Sequence, residues 1–213
     1  LFIATPGQWA AHSMAPRQAT FIYQTLHHLQ AALAAKGIEL CYHQCEDFAA
    51  ANAWLVAFCR EQRIDQLFYN RQYELNEQQR DAALEQALAG QVHCRAFDDS
   101  LLLPPGSVQS GDRSMYKVFT PFSKAFVRRL QQGLPECVPA PKAREGAPLK
   151  ATPIPAFDYP TEDFDQDLFP PGEAAALKRL RHFATQPVID YPAKRDLPAL
   201  DATSRLSVYL ATG

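Results

Sequence analysis

The amino-acid sequence predicts an α/β fold built on a parallel sheet with helices on both faces. Short apolar runs that are typical of buried strands recur along the first hundred residues, and segments with helical apolar periodicity lie between them. With 47% hydrophobic residues, the chain of 213 residues has enough apolar side chains for a sizeable core. Because alternating strands and helices of this length form βαβ units, we expect this fold to cover residues 1–133.

The first strand and the first long helix are predicted within residues 1–37. Residues 1–5 form a short apolar run, which is consistent with a buried strand. Pro16 suits the first position of a helix, and Gly37 suits the position beyond its end. Between them, apolar residues recur on one helical face: Ile22, Leu26, Leu29 and Leu33. The pattern indicates a strand followed by an amphipathic helix.

Four further strands and three further helices are predicted before residue 134. The strands cover residues 38–43, 66–70 and 92–97, with a short one over 100–103. Asp47 is expected to cap the first of these helices, and Asn76 the second, which runs to Gly90. The third helix begins at Thr120 and ends at Gly133.

The sequence changes in character near residue 134. Nine of the 17 prolines lie between Pro135 and Pro171. Proline lacks an N–H donor and biases its neighbours away from helix, so residues 134–171 are interpreted as an extended interdomain linker. Beyond it, residues 173–183 have the apolar spacing of a short helix.

Composition and charge argue against several classes of protein. The formal net charge of −2 gives no overall electrostatic argument for a nucleic-acid partner. Five cysteines, an odd number in a long chain, favour a reducing, cytosolic compartment over a disulfide framework. No apolar run approaches the ~20 residues that span a bilayer, so no membrane partner is expected. The spacing Cys41-x-His43-x-Cys45 falls on a predicted strand without a second ligand pair, so no metal site is predicted.

The C-terminal residues carry a candidate anion site. Thr203, Ser204 and Ser207 supply hydroxyls within five positions, and Arg205 supplies a guanidinium. Hydroxyls, successive backbone N–H groups and guanidinium groups all bind phosphate oxygens. On spacing alone, however, a surface turn or a helix cap is the more frequent structure for such a segment.

Two other polar blocks follow predicted strands. Residues 8–17 contain His12, and residues 68–77 contain Asn76 and Glu77. Both blocks lie at the carboxyl ends of strands, on the rim where open α/β sheets bind ligands. From spacing alone, the interpretation of His12 is a solvated loop residue, and that of the Asn76-Glu77 pair is ordinary helix capping.

These blocks together resemble one known family. Residues 203–207 and the residues before them are similar to the flavin-phosphate motif of the DNA photolyase/cryptochrome family; the matching positions are Tyr191, Arg195-Asp196-Leu197-Pro198 and Asp201. The rest of the chain resembles the antenna domain of bacterial class I cyclobutane pyrimidine dimer photolyases of the folate type. The motifs there are residues 8–17 and 68–77, Phe97-Asp98-Asp99-Ser100, Leu103-Pro104-Pro105-Gly106 and residues 116–122. The resemblance covers essentially the whole chain, in order.

The resemblance implies a role for each candidate residue. The implied FAD contacts are Tyr191, Thr203, Ser204, Arg205, Leu206 and Ser207. The implied contacts of a 5,10-methenyltetrahydrofolate antenna are His12, Asn76 and Glu77. Arg195 is implied to lie at the DNA surface, while Asp201 and Tyr209 are structural. The chemistry suits the antenna assignment, because a carboxylate accepts paired N–H bonds from a pterin edge and an amide both donates and accepts. No catalytic side chain is implied, since the cofactors carry the chemistry.

The resemblance also implies an architecture. A Rossmann-like antenna domain covers residues 1–133, the linker covers 134–171, and an all-helical FAD domain begins at 172–213. On this interpretation the family's first strand and most of its FAD domain lie outside the 213 residues, which are inactive by themselves. The implied protein is a monomer in the bacterial cytoplasm, associated with the nucleoid.

Three functions are compatible with the sequence. The leading hypothesis is light-driven repair, in which a folate antenna excites reduced FAD and an electron from FAD splits a cyclobutane pyrimidine dimer in DNA. The alternative is a cryptochrome, which has the same fold and FAD but a signalling output; His12, Asn76 and Glu77 favour the repair branch. The third is a plain α/β domain that binds another nucleotide, in which residues 203–207 form only a surface turn.

Overall fold

The structure, a computed structural model, describes residues 1–134 and 136–212 and contains two compact units. The first unit combines Leu1–Ala51 with the chain from Pro141 onward, and the second unit is Asn52–Ala140. The strands of the described residues are β1 (Phe2–Ala4), β2 (Tyr42–Gln44), β3 (Gln66–Asn70) and β4 (His93–Phe97). The helices are α1 (Pro6–Ala11), α2 (Pro16–Ala34), α3 (Phe48–Glu61), α4 (Leu75–Leu88), α5 (Phe119–Gln131), α6 (Glu173–Thr185), α7 (Pro187–Lys194) and α8 (Ser207–Leu210).

Each unit contains one parallel pair of strands. In the first unit, β1 pairs with β2, and Phe2 lies opposite Tyr42. In the second unit, β3 pairs with β4, and Gln66 lies opposite His93. Helices connect the two strands of each pair, as the parallel direction requires. The predicted α/β class with parallel strands is therefore confirmed, and the strands of the described residues form two separate pairs.

The core of the first unit includes residues from the proline-rich segment. Its buried members are Ala4, Leu26, Leu40, Ile154 and Phe157. The ring of Phe157 meets Trp9 and Tyr23 edge to face, with both centroid distances at 5.1 Å. Aromatic pairs in this geometry contribute on the order of 1 kcal/mol beyond the area that they bury. The segment predicted as a linker therefore supplies part of a hydrophobic core.

The same segment accepts hydrogen bonds from side chains of α2. Gln30 Nε2 donates to the carbonyl of Thr152 at 2.6 Å, and the Tyr23 hydroxyl donates to the carbonyl of Ile154 at 3.0 Å. Gln30 is only 7% exposed, and a buried amide requires such a partner. Because prolines remove N–H donors, a proline-rich segment has more carbonyl acceptors than donors, and polar side chains of a neighbouring helix can satisfy them.

The C-terminal helices of the first unit are fixed to α2. Tyr209 of α8 is buried, and its ring meets that of Phe21 edge to face at 5.6 Å. The Tyr209 hydroxyl donates to the carbonyl of Pro170 at 2.9 Å. At the start of α6, Gly172 has a φ of +95°, and a Cβ there would stand 2.9 Å from the His28 ring. Glycine at this position allows both the left-handed backbone and the close approach of His28.

The second unit has its own small core. Its buried apolar residues include Leu55, Cys59, Leu84, Leu88 and Leu103. Leu88, at the end of α4, is the most deeply buried of these at 1% exposed. Asn52 Nδ2 donates to the carbonyl of Arg80 at 2.9 Å, which joins α3 to α4. The helix α5, in contrast, has no buried residue.

Several predicted elements agree with the structure. The predicted starts of α2, α5 and α6 lie within one residue of the observed ones, and β3 has the predicted bounds. Asp47 caps α3 as predicted, because its Oδ1 accepts a hydrogen bond from the Ala50 N–H at 2.8 Å. The short helices α1, α7 and α8 were not predicted, since four to eight residues give little periodicity to detect.

Two predicted strands differ from the structure. The strand predicted over residues 38–43 begins only at Tyr42, because the Ile38 N–H bonds back to the Leu33 carbonyl at 3.0 Å and extends the end of α2. Residues 100–103 do not form a strand and instead lie in a bend. The prolines that follow have no N–H for a ladder, and the Ser107 N–H closes a turn onto the carbonyl of Pro104.

The predicted cap of α4 is also wrong. The helix begins at Leu75, so its cap is Glu74, and Asn76 is the second residue of the helix. Gln78 Nε2 donates to the carbonyl of Tyr73 at 2.6 Å, and the Glu74 carboxylate accepts from the Tyr73 N–H at 3.1 Å. With these bonds, both the N–H and the carbonyl of Tyr73 have hydrogen-bond partners just before the helix, which starts at Leu75, one residue before Asn76.

Within the described ranges, none of the helices has the length and apolar character that crossing a membrane requires.

Candidate functional site

Within residues 203–207, Arg205 and Leu206 have contrasting backbone conformations. Arg205 has a φ of +51°, in the left-handed region, and Leu206 follows with φ −82° and ψ −11°, in the right-handed helical region. A left-handed residue next to a right-handed one turns successive N–H groups to one side, which is the nest arrangement that binds anions. A side chain other than glycine in the left-handed region costs about 1 kcal/mol or more, and such residues cluster at ligand sites.

The side chains of residues 203–207 add polar groups to this backbone. Thr203 and Ser207 are exposed, whereas Ser204 and Arg205 are half-buried. The Ser204 hydroxyl oxygen accepts a hydrogen bond from the Leu206 N–H at 3.4 Å. Arg205 Nε lies 3.2 Å from Asp201 Oδ1. One short segment therefore carries three hydroxyl groups and one guanidinium, and donor groups of these types suit a pyrophosphate.

A buried anchor holds this segment in place. Ala202 before it and Tyr209 after it are both buried, so the exposed residues lie between two fixed points. Burial raises the pKa of the Tyr209 hydroxyl, while the nearby Arg179 guanidinium acts in the opposite direction. The phenol stays protonated at neutral pH and donates to Pro170. The candidate phosphate site is therefore attached to the core of the first unit through α8.

Tyr191 and Arg195 lie one helical turn apart at the end of α7. The Tyr191 ring meets the Phe183 ring edge to face at 5.8 Å, and the Arg195 guanidinium lies 5.9 Å from the Tyr191 ring centroid. Arg195 Nε also lies 3.6 Å from Asp196 Oδ2. The structure thus brings the predicted FAD residue Tyr191 and the predicted DNA residue Arg195 into contact with each other.

His12, the first predicted folate residue, lies in the first unit just after α1. Its side chain is exposed, and its Nε2 lies 2.7 Å from Nε2 of Gln8, one helical turn earlier. The carbonyl of Met14, two residues later, accepts a hydrogen bond from the Tyr159 hydroxyl at 2.6 Å. The loop that carries His12 is therefore fixed on both sides.

Asn76 and Glu77 lie together in the first turn of α4, in the second unit. Asn76 is exposed and Glu77 is half-buried. The positive end of the helix dipole stabilises a carboxylate at this position. The structure therefore confirms that the two residues are neighbours at the carboxyl side of β3, while their grouping with His12 stays a prediction.

The sequence interpretation missed an ion-pair network beside Asn76 and Glu77. Asp98 follows β4 directly; its Oδ2 lies 3.2 Å from Arg71 Nη1, and its Oδ1 accepts from the Tyr73 hydroxyl at 2.8 Å. Burial and this hydrogen bond raise the pKa of Tyr73. One carboxylate thus joins the loop after β3 to the loop after β4. The sequence feature that could have indicated this network is an acidic residue, Asp98, immediately after the predicted strand over residues 92–97.

A cleft at the carboxyl ends of β1 and β2 was also missed. It has a volume of about 540 Å³, and its polar lining includes Gln44, Glu46, Asp158 and Tyr159. Gln44 Oε1 accepts a hydrogen bond from the Asp158 N–H at 3.0 Å. None of the predicted contact residues lines this cleft. Across the described parts of the chain, no group of three His, Cys, Asp or Glu side chains is arranged to hold a metal ion.

Comparison with known proteins connects these features to one family. The family model for DNA photolyase matches residues 1–142. Over the whole chain, the sequence is 51% identical to the deoxyribodipyrimidine photo-lyase of Salmonella typhimurium, 48% identical to that of Escherichia coli K12 and 40% identical to that of Vibrio cholerae. The chain spans about 45% of the length of these curated relatives.

A solved structure supports the same relationship. The crystal structure of a bacterial class III photolyase from Agrobacterium tumefaciens matches with a TM-score of 0.69 and 26% sequence identity. The match covers 93% of this chain and 42% of that one. It confirms the α/β class that the sequence predicts.

Proposed function

The chain belongs to the DNA photolyase family, and from that premise we propose that the protein is a deoxyribodipyrimidine photo-lyase, a carbon–carbon lyase that repairs cyclobutane pyrimidine dimers in DNA. The observation that carries the proposal is the 51% identity to the Salmonella typhimurium protein of that name, which extends over the whole chain. Because the chain spans about 45% of its relatives' length, the activity is proposed for the whole protein that contains it.

FAD is the proposed redox cofactor, and residues 203–207 are proposed to hold its phosphates. The Arg205 guanidinium, the exposed hydroxyls of Thr203 and Ser207, and the N–H groups of the nest supply the donors that an anionic pyrophosphate requires. Tyr191, Ser204 and Leu206 are proposed as further contacts. When bound, reduced FAD supplies the electron that splits the cyclobutane ring. The contribution of the protein is to bind and orient the cofactor and to exclude water.

A 5,10-methenyltetrahydrofolate antenna is proposed to bind His12, Asn76 and Glu77. The Glu77 carboxylate can accept two N–H bonds from a pterin edge, and the Asn76 amide can both donate and accept. Glu77 is suited to this role because it lies in the first turn of α4, beside the residue Asn76 that supplies the amide. The bound antenna supplies absorbed light energy, so no proton transfer by these residues is required.

Arg195 is proposed to contact a DNA phosphate. Its side chain is 54% exposed, so its guanidinium can meet a phosphate at a hydrated surface. The proposed substrate is a dimer that has been flipped out of the duplex, since the reacting bases are inaccessible within the stack. The proposed protein acts as a monomer on nucleoid DNA in the bacterial cytoplasm.

A repair assay on the whole protein tests the proposed function. The protein, purified in the dark with its flavin reduced, is mixed with DNA that contains cyclobutane pyrimidine dimers and exposed to near-ultraviolet or blue light. We expect dimers to disappear in the light and to persist in a dark control. Binding of FAD with no loss of dimers would support a cryptochrome instead, and absence of flavin would contradict both functions.

A further inference from the structure

We propose that Asp201 is a positioning residue for Arg205 and thereby sets the affinity of the phosphate site for FAD. The inference deepens the proposed function and rests on it. Asp201 precedes Arg205 by four residues, and its Oδ1 lies 3.2 Å from Arg205 Nε. The carboxylate therefore forms an ion pair on the Nε side of the guanidinium.

The closest approach of Asp201 to Arg205 is at Nε, on the inner side of the guanidinium. Arginine has five N–H donors in a rigid plane, one on Nε and four on the two Nη atoms. A phosphate accepts two parallel N–H bonds from such a fork. Because the closest approach of Asp201 is to Nε, it can hold the plane of the guanidinium while the Nη edge binds a phosphate.

The surroundings of Arg205 make such positioning effective. Its backbone is in the left-handed region at φ +51°, and its side chain is 29% exposed, less than the 54% of Asp201. An arginine without a partner loses rotamer freedom when it binds a ligand. Holding the side chain in advance removes this loss, which corresponds to a factor of about two to twelve in Kd for one long side chain.

Two other roles for Asp201 lead to different expectations. If Asp201 only competed with the flavin phosphates for Arg205, its removal would strengthen FAD binding. If it only stabilised the fold, its removal would lower the melting temperature without changing the affinity of the folded protein for FAD. A weaker affinity for FAD at an unchanged melting temperature is therefore the signature of positioning.

The test is a double-mutant cycle on the whole protein, with the Kd for FAD measured by fluorescence titration of the flavin-free form. We expect Asp201→Asn to raise this Kd about two- to twelvefold and to have no further effect when Arg205→Ala is also present. Asp201→Glu is expected to restore most of the affinity. The matched control is Asp190→Asn, which breaks the ion pair of Asp190 with Lys194, also four residues apart at 2.6 Å, and is expected to leave the Kd unchanged.

Tighter FAD binding by Asp201→Asn, or the same loss with and without Arg205, would overturn the proposal. An unchanged Kd for Asp201→Asn, with weaker binding by Arg205→Ala, would reject the positioning role and leave the proposed phosphate site standing. An unchanged Kd for Arg205→Ala would contradict that site itself, and the inference with it.

Discussion

Arg195 and Arg205 are ten residues apart, and their surroundings differ. Arg205 is the less exposed of the two and lies in the nest, where it pairs with Asp201. Arg195 is more than half exposed and lies over the Tyr191 ring. A partly desolvated guanidinium interacts more strongly with an anion than a hydrated one does. The two residues are therefore expected to bind different anions: Arg205 a flavin phosphate and Arg195 a DNA phosphate.

In the whole protein, Arg205→Ala is expected to purify with depleted FAD. Removing one partner of a desolvated charge pair costs about 2–5 kcal/mol, which is enough to lose the cofactor during purification. Arg195→Ala is the matched variant and is expected to keep its FAD, bind dimer-containing DNA more weakly and show a shallower salt dependence. Flavin absorbance per protein and DNA titration over a range of salt concentrations measure these effects. Equal loss of FAD in both variants would contradict the assignment.

Glu77→Ala is expected to remove the near-ultraviolet absorption of the pterin while leaving FAD bound. The carboxylate is the group that can accept two N–H bonds from a pterin edge, and alanine leaves those donors without a partner. Repair driven by direct excitation of the flavin should continue. Glu173→Ala removes an acid from the first turn of another helix, α6, and should have no effect on the pterin. Full pterin content in Glu77→Ala would show that the antenna lies elsewhere.

At the scale of elements, the loops after β3 and β4 depend on one carboxylate. Asp98 accepts the Tyr73 hydroxyl and pairs with Arg71, so its two oxygens hold two points of the loop that leads into α4. The first turn of α4 carries Asn76 and Glu77, the proposed antenna contacts. The position of that turn is thus coupled to Asp98 through the chain.

Asp98→Ala is expected to lower the free energy of unfolding by about 0.5–1.5 kcal/mol, because it removes the hydrogen bonds that Asp98 accepts from the Tyr73 hydroxyl and the Arg71 guanidinium. Urea denaturation of the whole protein measures the change, and pterin content should fall in parallel. The adjacent Asp99 is exposed, so Asp99→Ala is the control and should change the unfolding free energy by less than about 0.5 kcal/mol. Equal effects of the two substitutions would show that the network is not responsible.

Two predicted helix caps and one predicted strand show what residue preferences can and cannot predict. Asp47 and Asn76 were both predicted as caps from the same residue preference, and only Asp47 is one. Before Asn76, the Gln78 side chain donates to the Tyr73 carbonyl, the Tyr73 N–H donates to the Glu74 carboxylate, and the helix begins at Leu75. Which residue caps a helix depends on three-dimensional contacts between side chains and backbone. Residue preferences for cap positions do not describe these contacts. The apolar run at 100–103 was similarly misleading, because the prolines after it prevent a ladder.

At the scale of the whole molecule, the sequence predicted which residues form the candidate sites better than it predicted how those residues are arranged in space. Residues 203–207 are contiguous, so their donors come together through the local backbone. His12 lies in the first unit and Asn76 and Glu77 in the second, so their shared role depends on the family relationship. Proline content showed that residues 134–171 are not helical, but it could not show that Ile154 and Phe157 enter a core. The predicted domain boundaries stay predictions.

Residues 1–213 expressed alone are expected to bind FAD with a Kd weaker than about 1 μM. The donors at residues 203–207 can hold phosphates, but cofactor sites normally enclose most of the ligand surface, and none of these five residues is buried. Fluorescence titration of the isolated chain with FAD measures the affinity. Submicromolar binding would show that the phosphate contacts suffice without enclosing walls.

The pairing of α2 with the proline-rich segment has a consequence for recombination between relatives. Contacts along α2, from Arg17 with Glu162 to the Ala34 carbonyl with the Leu149 N–H, join two parts of the chain more than a hundred residues apart. A chimera with a crossover near residue 134 would take α2 from one parent and its partner segment from the other. The Arg17–Glu162 ion pair and the packing of Leu26 with Ile154 and Phe157 would then combine side chains from different parents. Exchangeable modules in this family should therefore carry residues 16–34 and 149–164 as one inherited block.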